Sequence, residues 1–384
     1  MQVADIRRLH NVQFMKNSVC LCMIVKDEAE TLIRTLDSVL NVIDRALIVD
    51  TGSTDNTVSL ANEWLVKNNI PGIVVSREWH NYAHNRNEAL DLAKKQGCDY
   101  ILFMDAHTYL RGNIAAIKGG LGGYDCYDIE ERYLDVIYSR PLIVRSQLPW
   151  AWVGVTHEYL MCLQPHIQQM LKDVWRERDG KNPEQMSQKL NRDYEMLMDE
   201  HKKNPEDSRT TFYLAQTCRD LGKYNQSYAL YLSRTTMGAW DEEVWFSLYQ
   251  VALALERMRK PESEIVNAYL TAYEFRPSRA EALYQLARYY RGLGKNSLAF
   301  LFSEKAVCIP KPDDRLFVEI EVYTWKSIDE MAVSAYQLGD YRLCASGCQM
   351  IINRVPEDQL LRIKDNLKFA LEKLGGNDVQ KIDS

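Results

Sequence analysis

Residues 100–107, Tyr-Ile-Leu-Phe-Met-Asp-Ala-His, are an apolar run too short for a helix, and they stop abruptly on an acid and a histidine. Such a run reads as a buried strand. Three more precede it, at 19–25, 46–49 and 73–75, and stretches of helical period fill the gaps. Leu32, Leu36, Val39, Leu40 and Ile43 recur at three and four residues, marking a helix that starts at Lys26-Asp27-Glu28. Asp50-Thr51-Gly52-Ser53-Thr54-Asp55 leads into a second helix, with Gly52 allowing a tight turn, Ser53 or Thr54 as N-cap and Asp55 at the positive helix end. Residues 79–87 open a third, whose apolar side is Ala89, Leu90 and Ala93.

Strands alternating with helices predict an α/β domain, a mainly parallel sheet flanked by helices. Ligands bind such sheets outside the carboxyl ends of the strands. Polar clusters ending at Glu28, Asp50 and His107 should therefore converge on one edge. Asp105 and His107, two apart on an extended chain, point the same way and could grip one ion or polar ligand together. Arg86, at a helix start, adds a cation there, unless it serves only a surface salt bridge.

Beyond residue 107, Gly119-Gly120 and Gly122-Gly123 suggest a flexible loop, residues 124–138 carry Asp128, Glu130 and Glu131, and residues 141–145 read as a strand. Trp150 and Trp152 stand just before His157-Glu158. Residues 175–183, Trp-Arg-Glu-Arg-Asp-Gly-Lys-Asn-Pro, read as a polar, Gly- and Pro-punctuated linker.

From about Met186 the pattern is helical throughout, and it repeats. Ala215 precedes Gly222 by seven residues, as Ala287 does Gly294 and Ala332 does Gly339, while Ala252 with Arg259 is a degenerate fourth. The small positions 215, 252 and 287 are spaced close to the tetratricopeptide length of about 34 residues. An all-α helical solenoid follows. Its many aromatic residues belong chiefly to the helix-pair core. Lys202, Arg219, Arg288 and Arg291 could line a groove for a polyanionic acceptor.

At 384 residues and 46% hydrophobic, the chain is long enough for two cores, and its net charge of −6 argues against holding long nucleic acid by electrostatics alone. No apolar run approaches the roughly 18 residues of a membrane span, and no signal-peptide pattern opens the chain, so a cytoplasmic protein is expected. The nine cysteines include no Cys-x-x-Cys and read as reduced thiols. The expected division is a lead-in over 1–17, an α/β domain over 18–178, helical repeats over 186–375 and a tail over 376–384.

Five blocks of this sequence, in order, carry a family resemblance: Cys-Met-Ile-Val-Lys-Asp-Glu at 22–28, Ile-Val-Asp-Thr-Gly-Ser-Thr-Asp at 48–55, Asn-Arg-Asn-Glu-Ala-Leu at 85–90, Leu-Phe-Met-Asp-Ala-His at 102–107 and Trp-Val-Gly-Val-Thr-His-Glu at 152–158. The stretch from Ser18 to Leu160 resembles the family 2 glycosyltransferases of the GT-A fold, in the branch that carries C-terminal tetratricopeptide-like repeats. The resemblance implies an inverting transfer of a sugar from a nucleotide-sugar donor, by family frequency UDP-linked. It places Val25, Lys26, Glu28, Asp50, Arg86 and Asp105 around the nucleotide, with Asp50 at the base and Arg86 near the diphosphate. Asp105 falls on the Asp-x-Asp signature that holds ribose and a divalent ion, and His107 replaces the second acid. With His157 completing the shell, the set Asp105, His107 and His157 suits manganese better than magnesium. An inverting transfer needs a base for the acceptor hydroxyl; Glu158 is the candidate, with Glu130, Glu131 or Asp128 as alternatives. The tryptophans would form an apolar wall or sugar platform. The acceptor is a glycan, a protein, a lipid-linked intermediate or modified DNA, and the repeats would bind it, bind a partner or self-associate. His107 keeps a second reading open, a weakened transferase serving as a repeat-based binding scaffold.

Overall fold

A computed structural model of the protein describes residues 17–133, 136–178 and 183–375. The expected lead-in apart from Asn17, part of the expected linker and the expected tail lie outside the described residues. The chain divides into two compact units, one up to Glu200 and one from His201.

In the first unit, β1 (Val19–Val25), β2 (Arg45–Asp50), β3 (Gly72–Ser76) and β4 (Tyr100–Phe103) alternate with helices α1 (Leu32–Val39), α2 (Thr57–Lys67) and α3 (Tyr82–Lys94). The chain continues through β5 (Thr108–Gly112), α4 (Ala116–Gly120), β6 (Cys126–Tyr133), β7 (Val136–Arg145), β8 (Trp150–Val153), β9 (Tyr159–Cys162) and β10 (Gln168–Arg178), then enters α5 (Pro183–Lys203). Eight strands form one sheet in the order β3-β2-β1-β4-β7-β6-β10-β5, while β8 and β9 pair separately. β1, β2, β3 and β4 run parallel, as their helical crossovers require, and β10 is parallel to β6; β7 runs antiparallel to β4 and β6, and β10 to β5. β1 has a neighbour on each side, so Val19 to Met23 are buried and the strand carries no charge.

Several local expectations are corrected. The strand of Tyr100 ends at Phe103, and Thr108 donates through both its N–H (3.0 Å) and its hydroxyl (2.7 Å) to the Asp105 carbonyl, so Asp105 and His107 sit on a turn, not an extended chain. The buried Thr35 hydroxyl of α1 reaches the carbonyls of Ala106 (2.7 Å) and Thr108 (2.6 Å) and fixes that turn. Helix α1 starts at Leu32, not at Lys26–Glu28, because Asp27 takes a left-handed φ of 52°. Neither Ser53 nor Thr54 caps α2; the Ser53 hydroxyl instead accepts from the Asp27 N–H at 2.9 Å. Gly119-Gly120 closes the short α4 instead of lying in a loop. Trp175 to Arg178 belong to β10, with Arg176 buried, and are not linker: each pairs with a β5 residue.

The second unit is helical. Its described residues pair as α6 (Ser208–Asp220) with α7 (Tyr224–Arg234), α8 (Asp241–Arg257) with α9 (Glu262–Phe275), α10 (Glu281–Gly292) with α11 (Asn296–Val307), and α12 (Ser327–Gln337) with α13 (Tyr341–Ile351), followed by α14 (Glu357–Lys373). Each pair is joined by the same turn. Gly222, Arg259, Gly294 and Gly339 all take positive φ, and the next residue donates back to the carbonyl five positions earlier: Lys223 to Cys218, Lys260 to Leu255, Lys295 to Tyr290 and Asp340 to Ala335. This is the Schellman end, which satisfies orphan carbonyls and reverses the chain. Ala215, Ala252, Ala287 and Ala332 are fully buried, small enough for the paired helices to approach. Arg219, Arg288 and Arg291 do not offer a free basic groove: they pair with Asp220, Glu256 and Glu330. All nine cysteines are free thiols. Among the described residues no helix is long and apolar enough to cross a membrane.

Candidate active site

The carboxyl ends of β1, β2 and β4 carry the expected polar clusters. Val25 and Asp50 are partners across the β1–β2 ladder. Two loops then latch together. The Thr54 N–H donates to the Asp27 carboxylate (2.7 Å), the Ala29 N–H to the Asp55 carboxylate (3.1 Å), and the Glu28 N–H to the Thr57 hydroxyl (2.8 Å). Asp50 is buried, and its carboxylate accepts from the N–H groups of Gly52 and Ser53 at 3.1–3.2 Å, held by a turn that the positive φ of Gly52 allows. Lys26 is exposed beside it.

Arg86 is the hub of the site. It leaves the second turn of α3, whose start is fixed by Asn81 accepting from the His84 N–H and by the buried Asn85 side chain, which bonds the backbone of Glu78 and His80. Its Nη2 donates to Asp105 at 2.5 Å and its Nε to Glu158 at 2.8 Å, while Trp152 lies 4.9 Å beneath the guanidinium. Asn87, one residue on, accepts from the Trp152 N–H (2.7 Å) and donates to its carbonyl (2.8 Å), as a neighbouring strand would. That bond holds β8 against α3, and so places Glu158 beside Arg86.

A second arginine closes the ring. Arg176, buried in β10, donates to the other Asp105 oxygen at 3.3 Å and to Glu131 at 2.5 Å, with Arg140 3.9 Å from Glu131. Burial pushes the Asp105 carboxyl up, yet Arg86, Arg176 and Arg140 outweigh it and hold it well below the usual carboxylate range. Glu131 is lowered in the same way, against its burial, by Arg176 and Arg140. Burial works against the charge on Arg86, and Asp105 and Glu158 more than restore it.

Of the expected metal set, Asp105 faces the two guanidinium groups. His107 turns instead toward Glu28, Nδ1 to Oε1 3.7 Å, and His157 adopts a left-handed φ of 51°. Among the described residues no three His, Cys, Asp or Glu side chains stand together as a metal site. As arranged, the three residues do not fit a divalent ion, because both Asp105 oxygens already meet cations. Trp150 and Trp152 are buried, Trp152 edge-on to Phe103 at 5.1 Å, so neither presents a platform to a sugar. Glu130 pairs with Arg132 and Asp128 with Gln168, whereas Glu158 stands at the hub. Arg176, Arg140 and Asn87 were not legible as site residues. For Asn87 the signal lay in the block Asn85-Arg86-Asn87; for Arg176, within an apparent linker, there was none.

Residues 20–113 match the model of Glycosyl transferase family 2. The matched segment holds both latched loops, Arg86 and the Asp105 turn, and ends before Glu158. An uncharacterized glycosyltransferase of Rickettsia felis is 33% identical over 88 residues, which are 23% of this chain and 28% of that protein. A TPR repeat-containing protein of Synechococcus elongatus is 39% identical over 93 residues, 24% of this chain and 21% of that one. The chain thus spans less than a third of the length of these curated relatives. Among solved structures, the C-terminal part of a TPR repeat-containing protein of Cytophaga hutchinsonii aligns at 14% identity with a TM-score of 0.40, over 51% of this chain and 71% of that one.

Proposed function

We propose that the first unit is an inverting glycosyltransferase that takes a sugar from a nucleotide-sugar donor, UDP-linked by preference. The observation that carries this reading is Arg86 bridging Asp105 and Glu158 at the carboxyl end of β4, with Arg86 and Asp105 inside the segment that matches the transferase family model and Glu158 beyond it. The donor's nucleoside would lie along Val25, Lys26, Glu28 and Asp50. Its diphosphate competes with two carboxylates for the Arg86 guanidinium, since phosphate oxygens suit the same planar fork. Once Arg86 turns to the diphosphate, Glu158 is released to accept the proton of the acceptor hydroxyl as that oxygen attacks the anomeric carbon from the face opposite the phosphate; the carbon–oxygen bond to the phosphate breaks, and its electron pair leaves on the nucleoside diphosphate, whose charge Arg86 holds. The repeats would receive the acceptor or a protein partner.

A second reading, a weakened transferase acting as a scaffold, has one observation in its favour: Arg86 and Asp105 are saturated by partners within the chain. The test is nucleotide release from a panel of UDP-, GDP- and dTDP-sugars, with manganese and with chelator. Release from one donor class supports the transferase. No release from any, with no heat on titrating UDP, leaves the scaffold.

A further inference from the structure

The ring of side chains around Asp105 has an open end and a closed end. Asp105 is a fifth exposed, with Arg86 and Glu158 beside it, whereas Arg176 is 1% exposed and its partner Glu131 2%. An anion arriving from solvent therefore meets Arg86 and not Arg176. The closed end is fixed by backbone. Arg176 lies in β10 between two hydrogen-bonded neighbours, opposite Leu110 of β5 and Glu131 of β6, so its ion pair with Glu131 is also a cross-strand pair. A guanidinium buried in this way stays with its acids, because leaving them would strand a charge in the interior. Arg86 is tied by side chains alone, through Nη2 to Asp105 and Nε to Glu158.

The two arginines take different oxygens of Asp105. Arg86 donates to Oδ1 at 2.5 Å and Arg176 to Oδ2 at 3.3 Å. When Arg86 moves to an anion, Asp105 loses its shorter bond and keeps a cation at the other oxygen. Without Arg176 the same movement would leave a largely buried carboxylate with no cation, which is strongly unfavourable, and Asp105 would hold Arg86 back. We propose that Arg176 is a positioning residue, the fixed cation that keeps Asp105 paired while Arg86 exchanges its carboxylates for the diphosphate of the donor. It acts through Asp105 and touches no part of the substrate. The identity of the anion rests on the transferase reading, and inorganic pyrophosphate used beside UDP separates the two.

The measurement is calorimetry on the full chain without added metal. Arg176→Gln combined with Glu131→Gln removes the fixed cation and leaves the net charge of the ring unchanged, so charge alone predicts no effect. Pyrophosphate should nevertheless bind this double variant about tenfold more weakly than wild type, the order of one hydrogen bond to a charged group. Adding Asp105→Asn removes the grip on Arg86, and the double variant and the otherwise wild-type chain should then bind pyrophosphate alike. The proposal is overturned by equal affinity of wild type and double variant, by a double variant that stays weaker after Asp105→Asn, or by no uptake of pyrophosphate in any of these chains. If the pyrophosphate pattern holds while UDP gives no heat and no sugar donor releases nucleotide, the fixed cation stands and the transferase reading falls. Should the double variant unfold, Arg176→Lys, a point charge that cannot bridge Glu131 and Asp105 as a planar fork does, replaces it and is judged by the same outcomes.

Discussion

Arg86 and Glu158 stand 72 residues apart in the chain and 2.8 Å apart in space, joined through the Nε of one and a carboxylate oxygen of the other. The same guanidinium holds Asp105, so one residue with a planar fork does what a lysine cannot. Arg86→Lys should leave one of the two carboxylates without its cation. Breaking a fully buried pair costs about 3–5 kcal/mol, and with Asp105 a fifth exposed we expect about 2 kcal/mol. Hydrogen exchange of the amides around β4 and β8 measures it; a loss below about 0.5 kcal/mol would mean that water screens the bridge.

Glu158→Gln keeps the shape and removes the base. Turnover should fall by about 10²- to 10⁴-fold, while nucleotide affinity holds or rises, because the diphosphate then meets one competing carboxylate fewer at Arg86. Steady-state kinetics beside calorimetry separates the two. Undiminished turnover would pass the role to Asp128, Glu130 or Glu131.

Manganese added to the protein alone should give no binding heat, because both Asp105 oxygens are engaged by Arg86 and Arg176 and His107 faces Glu28. A saturable heat without nucleotide, abolished by His107→Ala, would restore Asp105, His107 and His157 as a ligand set.

Arg259 occupies the left-handed position that glycine fills in the other three turns. A non-glycine residue there costs about 1–2 kcal/mol, part of which glycine returns as chain entropy. Arg259→Gly should therefore stabilise the helical unit by about 0.5–1 kcal/mol, read as a rise in its thermal midpoint. A fall would show that the arginine side chain contributes more than the strain costs.

Asp314 and Glu319, in the segment between α11 and α12, respond oppositely to pH. Burial raises Asp314, but Arg276 and Arg279 outweigh it and lower it below its ordinary value, so its contribution is lost only as pH falls below that of a free aspartate, about 4. Glu319 is raised, first by burial and then by Glu281, although Tyr249, Lys326 and Arg279 pull it down. A raised carboxyl favours the folded state at low pH, and that contribution disappears as pH rises through its folded value. The advantage of Glu319→Gln over wild type in thermal midpoint should thus grow as pH rises above about 4.5 and vanish below it. A pH-independent difference would contradict this.

Local patterns carried the first half of the sheet and the whole repeat. Apolar runs at 19–25 and 100–103 could only be buried strands, and Arg259 could be placed in a glycine's position because the spacing from Ala252 matched three other turns. What was not legible depends on contacts between residues far apart in sequence. Trp175 to Arg178 look like solvent-seeking linker, yet β5 and β6 pair with that backbone and Asp105 and Glu131 neutralise Arg176. The direction of His107 was likewise decided by the Thr35 hydroxyl of another element, which turns the chain where a strand was expected to run on. Asp50 and Asp105 stand out by type and position because polar residues at or just past the carboxyl ends of strands mark where ligands bind, whereas Arg86 sits on α3 and Glu158 in the loop before β9. Which carboxylate meets which guanidinium is set by the packing of α3, β8 and β10, and side-chain pairing across such distances leaves no periodic trace in one sequence.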